Sequence, residues 1–150
     1  MLSSEFLGLI PHLPPMLLVD KLISKNGSSA VIEATIKDDY PFTTEGEGVG
    51  VWIGLELIAQ SAAVLSKLRD SKESTRPSLG FLLGSRSFIA HKPAFTRGQS
   101  ILIEIDLDPE SIGLPTINAS GVITDTLGDP ICEGSLTLFE PNDDALYLTK

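Results

Sequence analysis

A nineteen-residue segment without proline, VWIGLELIAQSAAVLSKLR from Val51 to Arg69, constrains this chain more than any other feature. Its Leu, Ala, Glu and Gln content favours a helix. The apolar residues, among them Trp52, Ile53, Leu57, Ile58, Ala62 and Leu65, are not confined to one stripe and cover most of the circumference. A helix that is apolar nearly all round has to be buried nearly all round. The longest apolar stretch, Val49 to Leu65, contains Glu56 and Gln60 and is too short and too interrupted to span a bilayer, so the rest of the chain must supply the cover.

The flanking sequence reads as strands. Met16–Ile23 is a short apolar strand after a proline-rich lead-in, and Ala30–Lys37 follows across Lys25-Asn26-Gly27-Ser28, which has the composition of a turn. Residues 38–50, with Pro, repeated Gly and several acids, read as a loop. After a polar turn at Asp70–Pro77, four strand-like runs follow: Leu79–Ala90, Gln99–Leu107, Thr116–Thr126 and Ile131–Glu140. Alternation is clearest in Gln99–Leu107, where Ile101, Ile103, Ile105 and Leu107 share one face. The last two runs meet at Leu127-Gly128-Asp129-Pro130, a hairpin turn by composition. Two strands, a helix and four strands give an α+β fold in which a curved antiparallel sheet of about five to six strands wraps one long central helix. Such a sheet leaves part of the helix or an edge uncovered, so at least a dimer is expected. At 150 residues, a single domain over 1–150 is expected, with Met1–Gly8 and Asn142–Lys150 peripheral.

Composition excludes several classes. The net charge of −9 argues against nucleic acid, which requires a concentrated basic surface. Seven of the eleven basic residues nevertheless fall between Lys67 and Arg97, a local patch able to meet an acidic partner. The N-terminus has no basic residue ahead of its apolar stretch, so a secretory signal is not expected and the reading is a soluble, cytoplasmic protein away from membranes. One cysteine and two histidines assemble neither a disulfide, a metal cluster nor a catalytic triad; Cys132 reads as a small residue packed in a strand.

Three stretches together resemble a known family. These are Leu9-Ile10-Pro11-His12-Leu13-Pro14-Pro15-Met16-Leu17-Leu18-Val19-Asp20, Gly54-Leu55-Glu56-Leu57-Ile58-Ala59-Gln60, and Gly80-Phe81-Leu82-Leu83-Gly84-Ser85-Arg86 with Lys92-Pro93 and Gly98. They are similar to the 3-hydroxyacyl-acyl-carrier-protein dehydratases of the hot-dog superfamily, most closely the branch associated with aryl polyene biosynthesis. The similarity runs from about Leu9 to Glu140. It implies a hot-dog fold, a substrate carried on a phosphopantetheine arm by an acyl carrier protein, no other cofactor, and a tunnel at a dimer interface. It also implies an acid/base histidine from the loop before the helix and a helix carboxylate from the other subunit. Glu56 matches the carboxylate. Tyr40 stands where the related branch carries its histidine, sixteen residues before Glu56.

That departure matters chemically. Dehydration needs a group near neutrality to take the proton beside the carbonyl and to protonate the departing hydroxyl. Tyrosine, with a reference pKa of about 10, is a poor replacement for histidine as the base. Among Trp52, Ile53, Leu55 and Ile58, Glu56 is expected to have its charged form disfavoured and its pKa raised. The resemblance places the family's carbonyl-polarising amide at Val51, with Gly50 allowing close passage of a ligand, and His12 at the tunnel mouth. Gln60, one turn beyond Glu56, either bonds within the core or orients the carboxyl. Trp52 joins the expected substrate-binding set, and Arg86, Lys92 and Arg97 form the expected carrier-docking set. Three functions stay open: a dehydratase of fatty-acid or polyene synthesis, a non-catalytic or heterodimer-completing subunit that binds acyl-carrier cargo, and an acyl thioesterase.

Overall fold

The computed structural model describes residues 5–6, 17–37, 48–69, 81–111 and 116–139. In chain order these form β1 (Lys21–Asn26), β2 (Ser29–Thr35), β3 (Gly48–Gly50), α1 (Ile53–Arg69), β4 (Phe81–Ala90), β5 (Ala94–Thr96), β6 (Ser100–Leu107), a turn of 3-10 helix at Pro109–Ser111, β7 (Thr116–Asp125) and β8 (Pro130–Phe139). Six strands make one antiparallel sheet in the order β1-β2-β6-β7-β8-β4, and β3 pairs with β5 alone. The sheet folds around α1, which packs on β6, β7 and β8. This is the hot-dog arrangement. No helix among the described residues is long and apolar enough to cross a membrane.

Helix burial follows the composition of the segment. Every residue from Leu57 to Lys67 is buried, including the polar Gln60, Ser61 and Ser66. Ser61 meets its need locally, donating from Oγ to the Leu57 carbonyl (2.8 Å). On β6 the alternation resolves as expected, with Ile101, Ile103, Ile105 and Leu107 inward and Glu104 and Asp106 outward. The β7–β8 hairpin closes at Gly128, whose φ is +96°. Asp125 braces that turn by accepting from the amides of Asp129 (3.0 Å) and Leu127 (2.8 Å). The Asp129 amide is the main reason the Asp125 carboxyl titrates below its usual range.

Helix and sheet approach so closely that side chains are excluded at the contact. A Cβ added at Gly54 would sit 2.5 Å from Cys132 Sγ, and one at Gly121 would lie 2.9 Å from Ile58 Cγ1. Cys132 is fully buried, and burial pushes its thiol up to about 12, so it remains a neutral packing group.

Several boundaries differ from the sequence reading. The first strand, expected at Met16–Ile23, runs from Lys21 to Asn26 instead, because Gly27 at φ +63° allows a two-residue turn and lets Lys25 and Asn26 pair with Ala30 and Ser29. Leu17, Leu18 and Val19 are buried but outside the ladder. The end of the expected loop, Gly48–Gly50, is a strand against Ala94–Thr96, so five strands rather than four follow the helix. Gly48 is needed there by proximity, since a Cβ would lie 3.1 Å from both Ala94 Cβ and the Phe95 carbonyl oxygen. The helix begins at Ile53, two residues later than expected. The reading of Met1–Gly8 as peripheral does not hold at Glu5 and Phe6. Phe6 is buried in the core, and Glu5 bonds through its amide to the Asp20 carbonyl and through its carboxylate to the Leu22 amide.

The Gly54–Cys132 contact supplies a test. Gly54→Ala gains helix propensity yet should lower stability by about 1–3 kcal/mol through overpacking. Adding Cys132→Ala should return most of that loss, as read by urea denaturation.

Candidate functional site

The first turns of α1 carry the residues of interest. Glu56 and Gln60 are spaced by four and lie along one row of the helix, and Trp52 sits in the turn just ahead of it. Burial rises steeply from one to the next: Trp52 is 52% exposed, Glu56 is half-buried and Gln60 is fully buried.

Gln60 determines how that carboxyl is held. The Leu18 amide can only donate, and it points at Gln60 Oε1 (2.8 Å). This assigns the amide group of the side chain, so Nε2 must face the other way, where it donates to Glu56 Oε2 (3.0 Å). Glu56 therefore does not sit in the wholly apolar setting that its neighbours in sequence suggest. It acts as an acceptor from a buried, oriented donor. Both bonds considered for Gln60 are made, one within the core to Leu18 and one to the Glu56 carboxyl.

The amide that the resemblance gives as the carbonyl-polarising donor is engaged within the fold. The Val51 amide donates to the Pro93 carbonyl (3.1 Å), an interaction that ties the helix start to the turn before β5. A substrate oxygen polarised at this helix end would use a different amide or displace Pro93. Gly50 is a strand residue opposite Ala94. The space a Cβ would fill at Gly50 is taken by the Trp52 indole, which folds back over it.

The basic residues expected to dock a carrier are on the surface, but acids stand beside part of the set. Arg86 is exposed on β4. Lys92 faces Asp125 at 4.0 Å, and its neighbour His91 bonds to Glu133 (2.8 Å). Arg97 lies in the turn between β5 and β6, partly exposed. Tyr40 and His12 lie outside the described residues. No group of three or more His, Cys, Asp or Glu residues able to hold a metal occurs among the described residues. Sequence reasoning missed the link from Leu18 to Gln60; its only trace was an apolar lead-in followed by Asp20 ahead of the first strand.

Comparison with known proteins agrees with this fold. The family model for ApeP-like proteins, described as ApeP dehydratase, matches residues 5–149. One chain of the dehydratase heterocomplex ApeI:P from Xenorhabdus doucetiae superposes with a TM-score of 0.81 at 26% identity, covering 95% of this chain and 94% of that one. Zebra fish thioesterase superfamily member 2 gives a TM-score of 0.62 at 17% identity, over 93% of this chain and 99% of that one. A hypothetical thioesterase from Streptococcus pneumoniae, solved with coenzyme A, gives 0.60 at 16% identity, over 80% and 86%. The last two likenesses show the fold alone. No curated protein matches the chain.

Replacing Gln60 with Leu should strand the buried Leu18 amide and remove the support of Glu56. A loss of about 1–3 kcal/mol is expected for the unmet donor. Denaturation would measure it, and the folded variant should lose the Leu18 amide's protection from hydrogen exchange.

Proposed function

The chain belongs to the ApeP-like dehydratase family, and from that premise we propose that it acts on 3-hydroxyacyl thioesters as one half of a shared active site. In this reading it supplies Glu56, and a related hot-dog subunit supplies the histidine. The observation that carries the proposal is the Leu18–Gln60–Glu56 chain of hydrogen bonds, which orients a half-buried carboxyl in the first turn of α1. A second support is Tyr40, whose hydroxyl is a hydrogen-bond donor at neutral pH and no base for a weakly acidic proton. A homodimer of this chain would lack the base in both of its sites. The relative from Xenorhabdus doucetiae is a dehydratase heterocomplex, which favours the paired form.

The chemistry then divides between the subunits. The partner's neutral imidazole takes the proton from the carbon beside the thioester carbonyl. As the carbon–carbon double bond forms, the bond to the 3-hydroxyl breaks, and the imidazolium returns its proton to the departing oxygen, releasing water. Glu56, held at Oε2 by Gln60, accepts a hydrogen bond from the 3-hydroxyl and fixes its orientation. Such alignment contributes steeply, since misplacement by about an ångström costs on the order of a hundredfold in rate. The half-exposed Trp52 would contact the acyl-bearing arm, and the surface residues Arg86, Lys92 and Arg97 would meet an acidic carrier protein.

An acyl thioesterase is the weaker reading, because only likenesses of fold point to it. Assays of thiol release and enoyl formation on one substrate separate the two. The purified chain should form little 2-enoyl thioester from a 3-hydroxyacyl carrier substrate, and adding a histidine-bearing hot-dog subunit should restore turnover. Glu56→Gln in the complex should lower kcat by about a hundredfold, within the range of general acid–base effects. Full turnover by the chain alone would overturn the shared-site reading.

A further inference from the structure

The lead-in to β1 is held by an anchor at Asp20. Pairing of β1 with β2 begins at Lys21 opposite Glu33, and upstream of it the buried residues Leu17, Leu18 and Val19 belong to no strand. Asp20 stands where the chain parts from β2. Its amide still donates to the Glu33 carbonyl (3.0 Å), and its own carbonyl accepts from the Glu5 amide (3.0 Å). Its carboxylate Oδ2 accepts from the Thr35 amide (2.9 Å) in place of a main-chain carbonyl from the departing strand. Lys37 Nζ donates to both carboxylate oxygens at 2.9 Å, a fork only partly exposed to solvent.

Leaving β2 at this point turns the Leu18 amide toward α1, where it meets Gln60 Oε1. A glutamine side chain can flip end for end, and the fixed donor at Oε1 favours the orientation in which Nε2 faces Glu56. Flipped, it would set oxygen against oxygen. We propose that Asp20, ion-paired to Lys37, is a positioning residue for Glu56, acting through the Leu18 amide and Gln60. Its kinetic consequence rests on the proposed role of Glu56, whereas the positioning itself does not.

The test uses the full-length chain, alone and in complex with a histidine-bearing subunit, with Asp20→Ala, Asp20→Asn and Lys37→Met. NMR of the Gln60 side-chain amide and hydrogen exchange of the Leu18 amide read the positioning directly. In Asp20→Ala the Gln60 signals should move toward those of a solvated amide, and Leu18 should lose protection by about tenfold, the scale of local opening. In the complex, kcat should fall about tenfold with KM nearly unchanged, the signature of lost alignment in the transition state. Asp20→Asn, which keeps an acceptor for Thr35, should recover much of the loss. Lys37→Met, which leaves that acceptor intact but loosens it, keeps the test decisive if Asp20→Ala does not fold. Wild-type Gln60 and Leu18 signals in folded Asp20→Ala or Lys37→Met would overturn the proposal, as would displaced signals with unchanged kcat. Displaced signals in a complex that does not dehydrate would support the positioning while overturning the proposed function.

Discussion

The structure depends on covering a helix that water would not tolerate. Burial of every residue from Leu57 to Lys67 leaves α1 no exposed face along its middle, so it persists only while the sheet closes over it. That closure is tight enough to exclude Cβ atoms at Gly54 and Gly121, where helix and strands meet almost backbone to side chain. Close packing of this kind fixes the rotation of the helix about its own axis. Once that rotation is set, so are the directions of Glu56 and Gln60, which share one row.

A buried glutamine in such a helix must satisfy both ends of its amide. Gln60 does so by reaching across to Leu18, 42 residues away in sequence, and to Glu56 one turn back. The same bonds that make Gln60 tolerable in the core therefore aim the carboxyl. Structure and chemistry share these groups: the lead-in segment, anchored by Asp20, serves the core through Leu17, Leu18 and Val19 and the site through one amide. At the helix start a second long-range tie, from Val51 to Pro93, joins the small β3–β5 sheet to α1.

Much of this was legible from periodicity and composition. The apolar helix, the alternation of β6 and the β7–β8 turn each carry a local signal strong enough to survive tertiary context. The spacing of Glu56 and Gln60 put both on one face before any coordinates were known. What stayed hidden depended on distant partners. β3 and β5 are three residues each, and Gly48-Val49-Gly50 shows no more alternation than a loop. Leu17–Val19 reads as strand because its burial is that of a strand, although its hydrogen bonds go elsewhere. Nothing near Val51 in the sequence announces that Pro93 takes its amide. Trp52 belongs by composition to the greasy helix, yet it lies just ahead of α1 and stays half exposed.

The central claim is that Glu56 and a histidine from another subunit work on the same bond. A double-mutant cycle in the reconstituted complex tests it most directly, pairing Glu56→Gln in this chain with removal of the partner's histidine and measuring kcat/KM for enoyl formation. Groups acting as one unit give strongly non-additive losses, so the account predicts a double variant little worse than the weaker single variant. Losses that simply multiply would mean that the two groups act independently, and would contradict it.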